Sequence, residues 1–257
     1  MEVVVVAGNP TVDIIHTASG TSMRYGGSVL YISLALGALG VRAKAVGVAS
    51  REVATEIRQI LQRMGAAPQL EEADATTTFE LDYRTKPRTV KLLKKPERGI
   101  RKVEGDVVIL SPVYDELRDA EVKARKVAVD LQGYLRTRLP LPAADLVHFS
   151  YDDIQLTVRE LVEFAKRWPA VVYTLGEEGA YVLQQGKISH INSAKIQTED
   201  VTGSGDVFLA VLAYFHLLKG LDLISSACEA SKYVAGFLAR RVVTRYDFDC
   251  VIRAVPA

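Results

Sequence analysis

The sequence predicts an α/β fold: a mostly parallel sheet sandwiched by helices, with a small β-strand lid. Three observations carry this. Short β-branched apolar runs alternate with longer Leu- and Ala-rich segments along most of the chain, the pattern of strands joined by crossover helices. Those runs are continuously apolar, as strands covered on both faces are. Between residues 76 and 101 the texture changes, and Phe79, Leu81 and Tyr83 alternate with Glu80, Asp82 and Arg84. That alternation fits a ribbon with one polar face.

Taken in order, residues 3–7 form a buried strand that stops at Gly8-Asn9-Pro10, a turn signal. Residues 12–17 read as a second strand. Gly26-Gly27 opens an apolar helix over 28–39, with Ser28 as its cap and Gly40 at its end. A strand follows over 41–49, and an amphipathic helix over 52–64 stops at Gly65. The ribbon runs to Tyr83, turns through Thr85-Lys86-Pro87-Arg88 and returns over 89–93. Strands at 107–110 and 126–131 flank a segment, 114–120, read as roughly helical. A strand at 144–148, a helix at 157–167, a strand at 171–175 and a hairpin at 180–191 turning on Gln185-Gly186 come next. Helices over 204–219 and 222–240 close the chain. The expected organisation is one domain, 1–257, with lid strands near 12–25 and 76–99. Sheets of this kind place ligands beyond the carboxyl ends of their strands.

The chain has 257 residues, with 32 Lys+Arg against 31 Asp+Glu, 49% hydrophobic and 25% charged. These ordinary globular values exclude collagen-like, disordered and disulfide-scaffold classes. A net charge of +1 argues against a nucleic-acid partner, which calls for clustered basic excess. No run approaches the roughly 20 apolar residues of a membrane span, and no signal peptide is evident, so a cytoplasmic protein is expected. Cys228 and Cys250 are expected to be reduced structural thiols, with a disulfide as the alternative. The scarcity of Cys and of Asn, present only at 9 and 192, fits a heat-adapted chain.

The stretch richest in chemistry is Glu199-Asp200-Val201-Thr202-Gly203-Ser204-Gly205-Asp206-Val207-Phe208. Two glycines open a helix that is apolar almost all round. Its first turn offers free N–H groups and the positive end of the helix dipole, and glycine lets an anion approach. Asp206 opposes an anion's charge unless it has a task. It either accepts the proton of an attacking hydroxyl or is an ordinary first-turn acid, and spacing alone leaves both readings open.

This segment resembles the Asp-Thr-x-Gly-Ala-Gly-Asp signature of the ribokinase family, the phosphofructokinase-B-type carbohydrate kinases, with Val201 and Ser204 as departures. Gly8-Asn9-Pro10-Thr11-Val12-Asp13 resembles the family's first strand and its substrate-binding Asp. Gly26-Gly27 resembles its diglycine, and Thr174-Leu175-Gly176-Glu177-Glu178-Gly179 its nucleotide-site motif. The ribbon lies where the family carries a β-lid.

The resemblance implies a kinase that moves the γ-phosphate of ATP to a hydroxyl of a small sugar, polyol or nucleoside, with Mg2+ and a monovalent cation. Asp206 would be the base. The N–H groups of Gly203, Ser204 and Gly205 would form the anion hole. Asp13, Gly26, Gly27 and Tyr31 would meet the substrate, and Thr174, Gly176, Gly179, Asp200 and Thr202 the nucleotide and cation side. Tyr31 stands where the family has an Asn. Ser150-Tyr151-Asp152-Asp153 stands where it has Asn-x-x-Glu, which leaves Asp153 to act on Mg2+ through water. Asp130-Leu131-Gln132-Gly133-Tyr134-Leu135-Arg136 resembles a segment of inositol kinases and their relatives, implying Gln132 and Arg136 as substrate donors for a myo-inositol-like polyol. A turn residue and a solvated charge are the equally weighted alternative.

The remaining signals are weaker. His16, His148, His190 and His216 have no metal-ligand spacing. Ser150 and Ser204 lack triad partners. Lys86, Arg88, Lys91, Lys94, Lys95, Arg98, Arg101 and Lys102 are expected as a solvated basic face. Neither a P-loop nor a dinucleotide fingerprint occurs. The alternatives to a kinase are a regulator of the same fold that has lost catalysis and a Rossmann-like oxidoreductase. A monomer or a lid-mediated homodimer is expected.

Overall fold

Strand β1 (Val4–Ala7) shows why the main sheet is buried on both sides. Val4 and Val6 enter one core, while Val5 and Ala7 enter a second on the opposite face, the period-two alternation of a strand. The structure, a computed structural model, describes residues 2–85 and 88–256. Lys86 and Pro87 of the expected ribbon turn lie outside the described residues.

After β1 the chain leaves the main sheet for β2 (Thr11–Thr17) and β3 (Gly20–Gly26), then returns through α1 (Ser28–Ala38) to β4 (Lys44–Ser50). Ser28 does not cap α1. Its hydroxyl donates to the Ser111 carbonyl, and Gly27, at φ 92°, takes the cap position. Helix α2 (Arg51–Arg63) is amphipathic and buries Ala54, Ile57 and Leu61. It leads to the edge strand β5 (Ala67–Ala73), whose mostly exposed side chains give no apolar run to read. A second excursion makes β6 (Thr77–Asp82) and β7 (Thr89–Lys94).

Strands β8 (Lys102–Leu110) and β9 (Glu121–Asp130) begin earlier than their apolar runs suggest, because their exposed polar starts still pair, Lys102 with Glu121. Between them, 114–120 is a set of turns rather than a helix. The cause is Glu116, whose buried carboxylate accepts from the N–H groups of Val113, Tyr114 and Asn9. A side chain that binds nearby backbone in this way competes with helix.

The remaining elements are α3 (Gln132–Thr137), β10 (Leu146–Ser150), α4 (Val158–Ala165), β11 (Ala170–Thr174), β12 (Ala180–Gln184), β13 (Lys187–Ile191), α5 (Ser204–Ala213), α6 (Leu223–Arg240) and β14 (Ile252–Ala254). Thr157 and Glu160 form a capping box on α4. Helix α5 stops short of its expected end and continues as a π-turn over 214–218, where the Lys126 ammonium takes the Leu217 carbonyl at 2.6 Å.

The main sheet has the order β14-β13-β12-β11-β10-β9-β8-β1-β4-β5, parallel from β11 to β5 and antiparallel beyond β11. Helices α1, α2, α5 and α6 cover one face, and α3 and α4 the other. Strands β3-β2-β6-β7 form a separate four-stranded sheet, with its own small cluster of Ile15, Phe79, Leu81 and Val113.

Cys228 and Cys250 form a disulfide, with Cα atoms 5.8 Å apart, which corrects the expectation of reduced thiols. After Arg241, at φ 54°, the chain turns back along α6. The Tyr246 N–H bonds the Lys232 carbonyl at 3.0 Å, and the Arg245 guanidinium bonds Glu229. That antiparallel course carries Cys250 to Cys228, a meeting no local sequence signal announces. Denatured, unreduced protein should therefore show no reactive thiol. Cys250→Ser should lower stability by about 3 kcal/mol for a loop of this size, read as a lower denaturant midpoint; an unchanged midpoint would contradict the bridge.

Candidate active site

From β1 the sheet runs to β4 and β5 on one side and to β8 on the other, so the strand order reverses between β1 and β8. Ala7 and Leu110 are register partners at their carboxyl ends, and a crevice opens just beyond such a reversal. Ser111 follows Leu110 at this point, fully buried. Its hydroxyl donates to Asp206 Oδ1 at 3.3 Å. Gln132, the first residue of α3, points its amide at both Ser111 Oγ (3.3 Å) and Asp206 Oδ1 (3.5 Å). Three elements thus converge on one carboxylate in the first turn of α5.

The loop before that turn is shaped by glycine. Gly203 has φ 82°, the left-handed region that side chains disfavour. A Cβ there would also overlap the Tyr31 ring, which is buried and packs edge-on to Phe237. The Ser204 N–H donates to the Val201 carbonyl at 3.0 Å, so it is committed to the turn. Among the described residues, the N–H groups of Gly203, Gly205 and Asp206 meet no protein acceptor. They stand at the positive end of α5, an arrangement suited to an anion.

Burial governs the carboxylates. The Asp206 carboxyl is pushed up to about 7 by burial and by the nearby Asp130, against the Ser111 hydrogen bond and the charges of His148 and Arg88. Burial raises Asp13 to about 6, opposed by a hydrogen bond with Thr11 and by Arg24 and Arg88. A Cβ on Gly26 would strike the Asp13 carboxylate, and one on Gly27 the Asn9 carbonyl, which is why two glycines stand there. Asp153 is raised by burial and Asp130, while its Oδ2 accepts from the Ser150 N–H (2.9 Å) and hydroxyl (2.6 Å). At Asp200 burial is outweighed by hydrogen bonds from Thr202 and by Arg24, which hold the carboxyl below its usual range. Burial pushes the Tyr31 phenol up to about 12.

The four-stranded sheet lies over the loop at 199–202. Ser19 donates to Glu199 at 2.8 Å, Arg24 pairs with Asp200 at 2.5 Å, and the Tyr83 hydroxyl meets Thr202 Oγ1 at 2.7 Å. Arg88, expected on a solvated face, turns inward to donate to the Tyr83 hydroxyl at 2.7 Å and pairs with Asp152 at 3.3 Å. Arg136 is not a solvated charge: its guanidinium donates to the Val113 carbonyl and stacks on Phe79.

The expected nucleotide glycines differ from each other. Gly176 has open space where a Cβ would go. At Gly179 that space is filled by the Ile191 carbonyl and Asn192, so this glycine serves the packing of β13. Thr174 joins the site through His148. His148 Nε2 lies 3.3 Å from Thr174 Oγ1, and Nδ1 lies 2.7 Å from Asp130 Oδ2. Sequence reasoning missed Ser111, Arg88, Asp130 and His148 as site residues. Ser111 could have been found by its place after a buried strand, whereas the other three depend on long-range packing.

Two comparisons bear on this geometry. The chain resembles in fold a pyrophosphate-dependent kinase in the ribokinase family, solved with a pyrophosphate analogue and myo-inositol, at 19% identity over 95% of this chain and 97% of that one, TM-score 0.78. It likewise resembles a fructokinase from Vibrio cholerae O395 bound to fructose, ADP and calcium, at 16% identity over 94% of each chain, TM-score 0.69. Residues 143–248, which carry the anion loop and Asp206, match the model of the pfkB family carbohydrate kinases. A deoxyribokinase of Salmonella typhi is 28% identical over 71 residues, 28% of this chain and 22% of that relative.

Titration of Asp206 has a stability consequence. The folded protein holds this proton to about pH 7, while the unfolded chain releases it near the ordinary value of 3.8. The unfolded state therefore binds fewer protons in that window, and the group's contribution lowers stability as pH rises. Asp206→Asn should leave the melting temperature nearly unchanged below pH 4, raise it increasingly up to about pH 7, and keep a constant difference above that. A pH-independent difference would contradict the raised pKa.

Proposed function

We propose that this chain transfers the terminal phosphoryl group of ATP to a hydroxyl of a small sugar, a myo-inositol-like polyol or a nucleoside. One observation carries the reading. A carboxylate held by Ser111 and Gln132 stands beside N–H groups that, among the described residues, meet no protein acceptor. An anion seated on the N–H groups of Gly203 and Gly205 would lie next to Asp206. A hydroxyl within reach of Asp206 would then face the transferring phosphorus. Ionised Asp206 accepts the hydroxyl's proton, and the amides stabilise the charge on the transferring group.

Asp13, buried beside Gly26, would accept hydrogen bonds from other acceptor hydroxyls, and Tyr31 would form an aromatic wall where an amide is usual. The sheet bearing Arg24, Tyr83 and Arg88 would act as the lid, excluding water and limiting hydrolysis of the donor. Its outer strands β3 and β7 expose Met23 and Leu93, which leaves pairing of two lids as the route to a homodimer.

Among the described residues no three His, Cys, Asp or Glu side chains gather to hold a metal. The donor set therefore fits a Mg2+ held mainly by phosphate oxygens and water, with Asp153 outside the first sphere; Mg2+ there would supply charge neutralisation. Asp200, the carboxylate expected on the cation side, is paired with Arg24.

Gly176 has open space where a Cβ would go. The pyrophosphate-dependent fold neighbour supports pyrophosphate as a second reading of the donor. Among the described residues no helix is long and apolar enough to cross a membrane.

The test is a panel of sugars, polyols and nucleosides offered with ATP or with pyrophosphate, followed as ADP or phosphate release. One acceptor should stimulate turnover, and Asp206→Asn should lose about 10²- to 10⁴-fold of it. The rate with wild-type protein should rise with pH through about 7 as Asp206 ionises. Donor and acceptor binding with no turnover above the Asp206→Asn level would instead favour the regulator.

A further inference from the structure

Behind the carboxylate of Asp206 lies a buried polar chain that the reaction itself does not require. Asp130 ends β9 and His148 lies within β10, the neighbouring strand, where the two are register partners. Both side chains are almost wholly buried, at 4% and 1% exposure. His148 Nδ1 lies 2.7 Å from Asp130 Oδ2. A carboxylate only accepts, so Nδ1 carries the proton. The other oxygen of Asp130 accepts from the Gln132 backbone N–H at 2.8 Å. Gln132 in turn presents its amide to Asp206 and Ser111. The imidazole is fixed on its other sides as well. It stacks on Phe208, one turn into α5, with ring centroids 5.3 Å apart, and its Nε2 faces the Thr174 hydroxyl.

Burying a carboxylate and an imidazole is costly unless they are paired and hydrogen-bonded. An apolar pair would fill the space without that cost. The polar pair does one thing that an apolar pair cannot: it fixes the first N–H of α3, and with it the direction of the Gln132 side chain.

We propose that Asp130 and His148 are positioning residues that hold the Gln132 amide on the Asp206 carboxylate and tie the base to Thr174 at the end of β11. This rests on the phosphoryl-transfer reading for its kinetic consequence, though not for its geometry. Neither residue touches the acceptor. Their effect reaches the reaction through Gln132 and through the charges they place near Asp206, so it should fall on kcat rather than on acceptor KM.

The test compares His148→Phe, which keeps a ring on Phe208 but removes both nitrogens, with His148→Asn, whose amide can stand in for Nδ1–H toward Asp130. Two readouts are taken: kcat and acceptor KM separately, and the NMR resonances of the Gln132 side-chain amide. His148→Phe should lower kcat by about 10- to 100-fold, as loss of a comparable outer partner does, with acceptor KM little changed. The Gln132 amide should shift in His148→Phe and in Asp206→Asn, and His148→Asn should recover most of both effects. The proposal is overturned if His148→Phe leaves kcat and the Gln132 amide unmoved, or if His148→Asn loses as much as His148→Phe. If wild-type protein turns over no acceptor with either donor, the kinase reading fails, and the amide shifts alone still decide the network.

Discussion

The site depends on the contact between Gly203 and the ring of Tyr31. Gly203 must take a left-handed backbone angle for the chain to turn from Asp200 into α5, and the ring leaves no room for a side chain there. Tyr31 is itself fixed, because α1 is buried on nearly all sides and Phe237 of α6 meets the ring edge. The first turn of α5 is thereby aimed at the crevice between β1 and β8, with its unpaired N–H groups outward and Asp206 beside them. Side chains from β8 and α3 then have a target at which to converge.

The same packing sets the electrostatics. Asp206, Asp13 and Asp153 are all raised by burial, although Arg24, Arg88 and Arg136 stand among them. The arginines do not cancel the burial because each has other commitments: Arg24 to Asp200, Arg88 to Tyr83 and Asp152, Arg136 to the Val113 carbonyl. A carboxylate poised near neutrality suits proton acceptance at neutral pH. In the proposed reaction the anion would be met by backbone dipoles, which would let a chain of net charge +1 accommodate phosphate without a basic surface.

Much of this was legible in the sequence, and what was not has a common cause. Strands buried on both faces announce themselves by continuous apolar runs, and the Gly-Ser-Gly-Asp segment at 203–206 announces the start of α5. Edge strand β5, with exposed alternate residues, gives no such run. Residues 114–120 look helical by pattern, but the buried Glu116 carboxylate ties down the N–H groups of Val113 and Tyr114 at their start. The Cys228–Cys250 bridge and the Asp130–His148 pair arise where distant segments are packed side by side, information held by the fold as a whole and by no local motif.

The central claim is that the backbone at the start of α5 receives the phosphate, and amide chemical shifts test it most directly. Titrating the protein with methylenediphosphonate, a pyrophosphate analogue that cannot transfer its phosphorus, should shift the Gly203 and Gly205 amides saturably and more than any others. Saturable shifts confined to the lysine-rich surface over 91–102, with these two amides unmoved, would contradict the account.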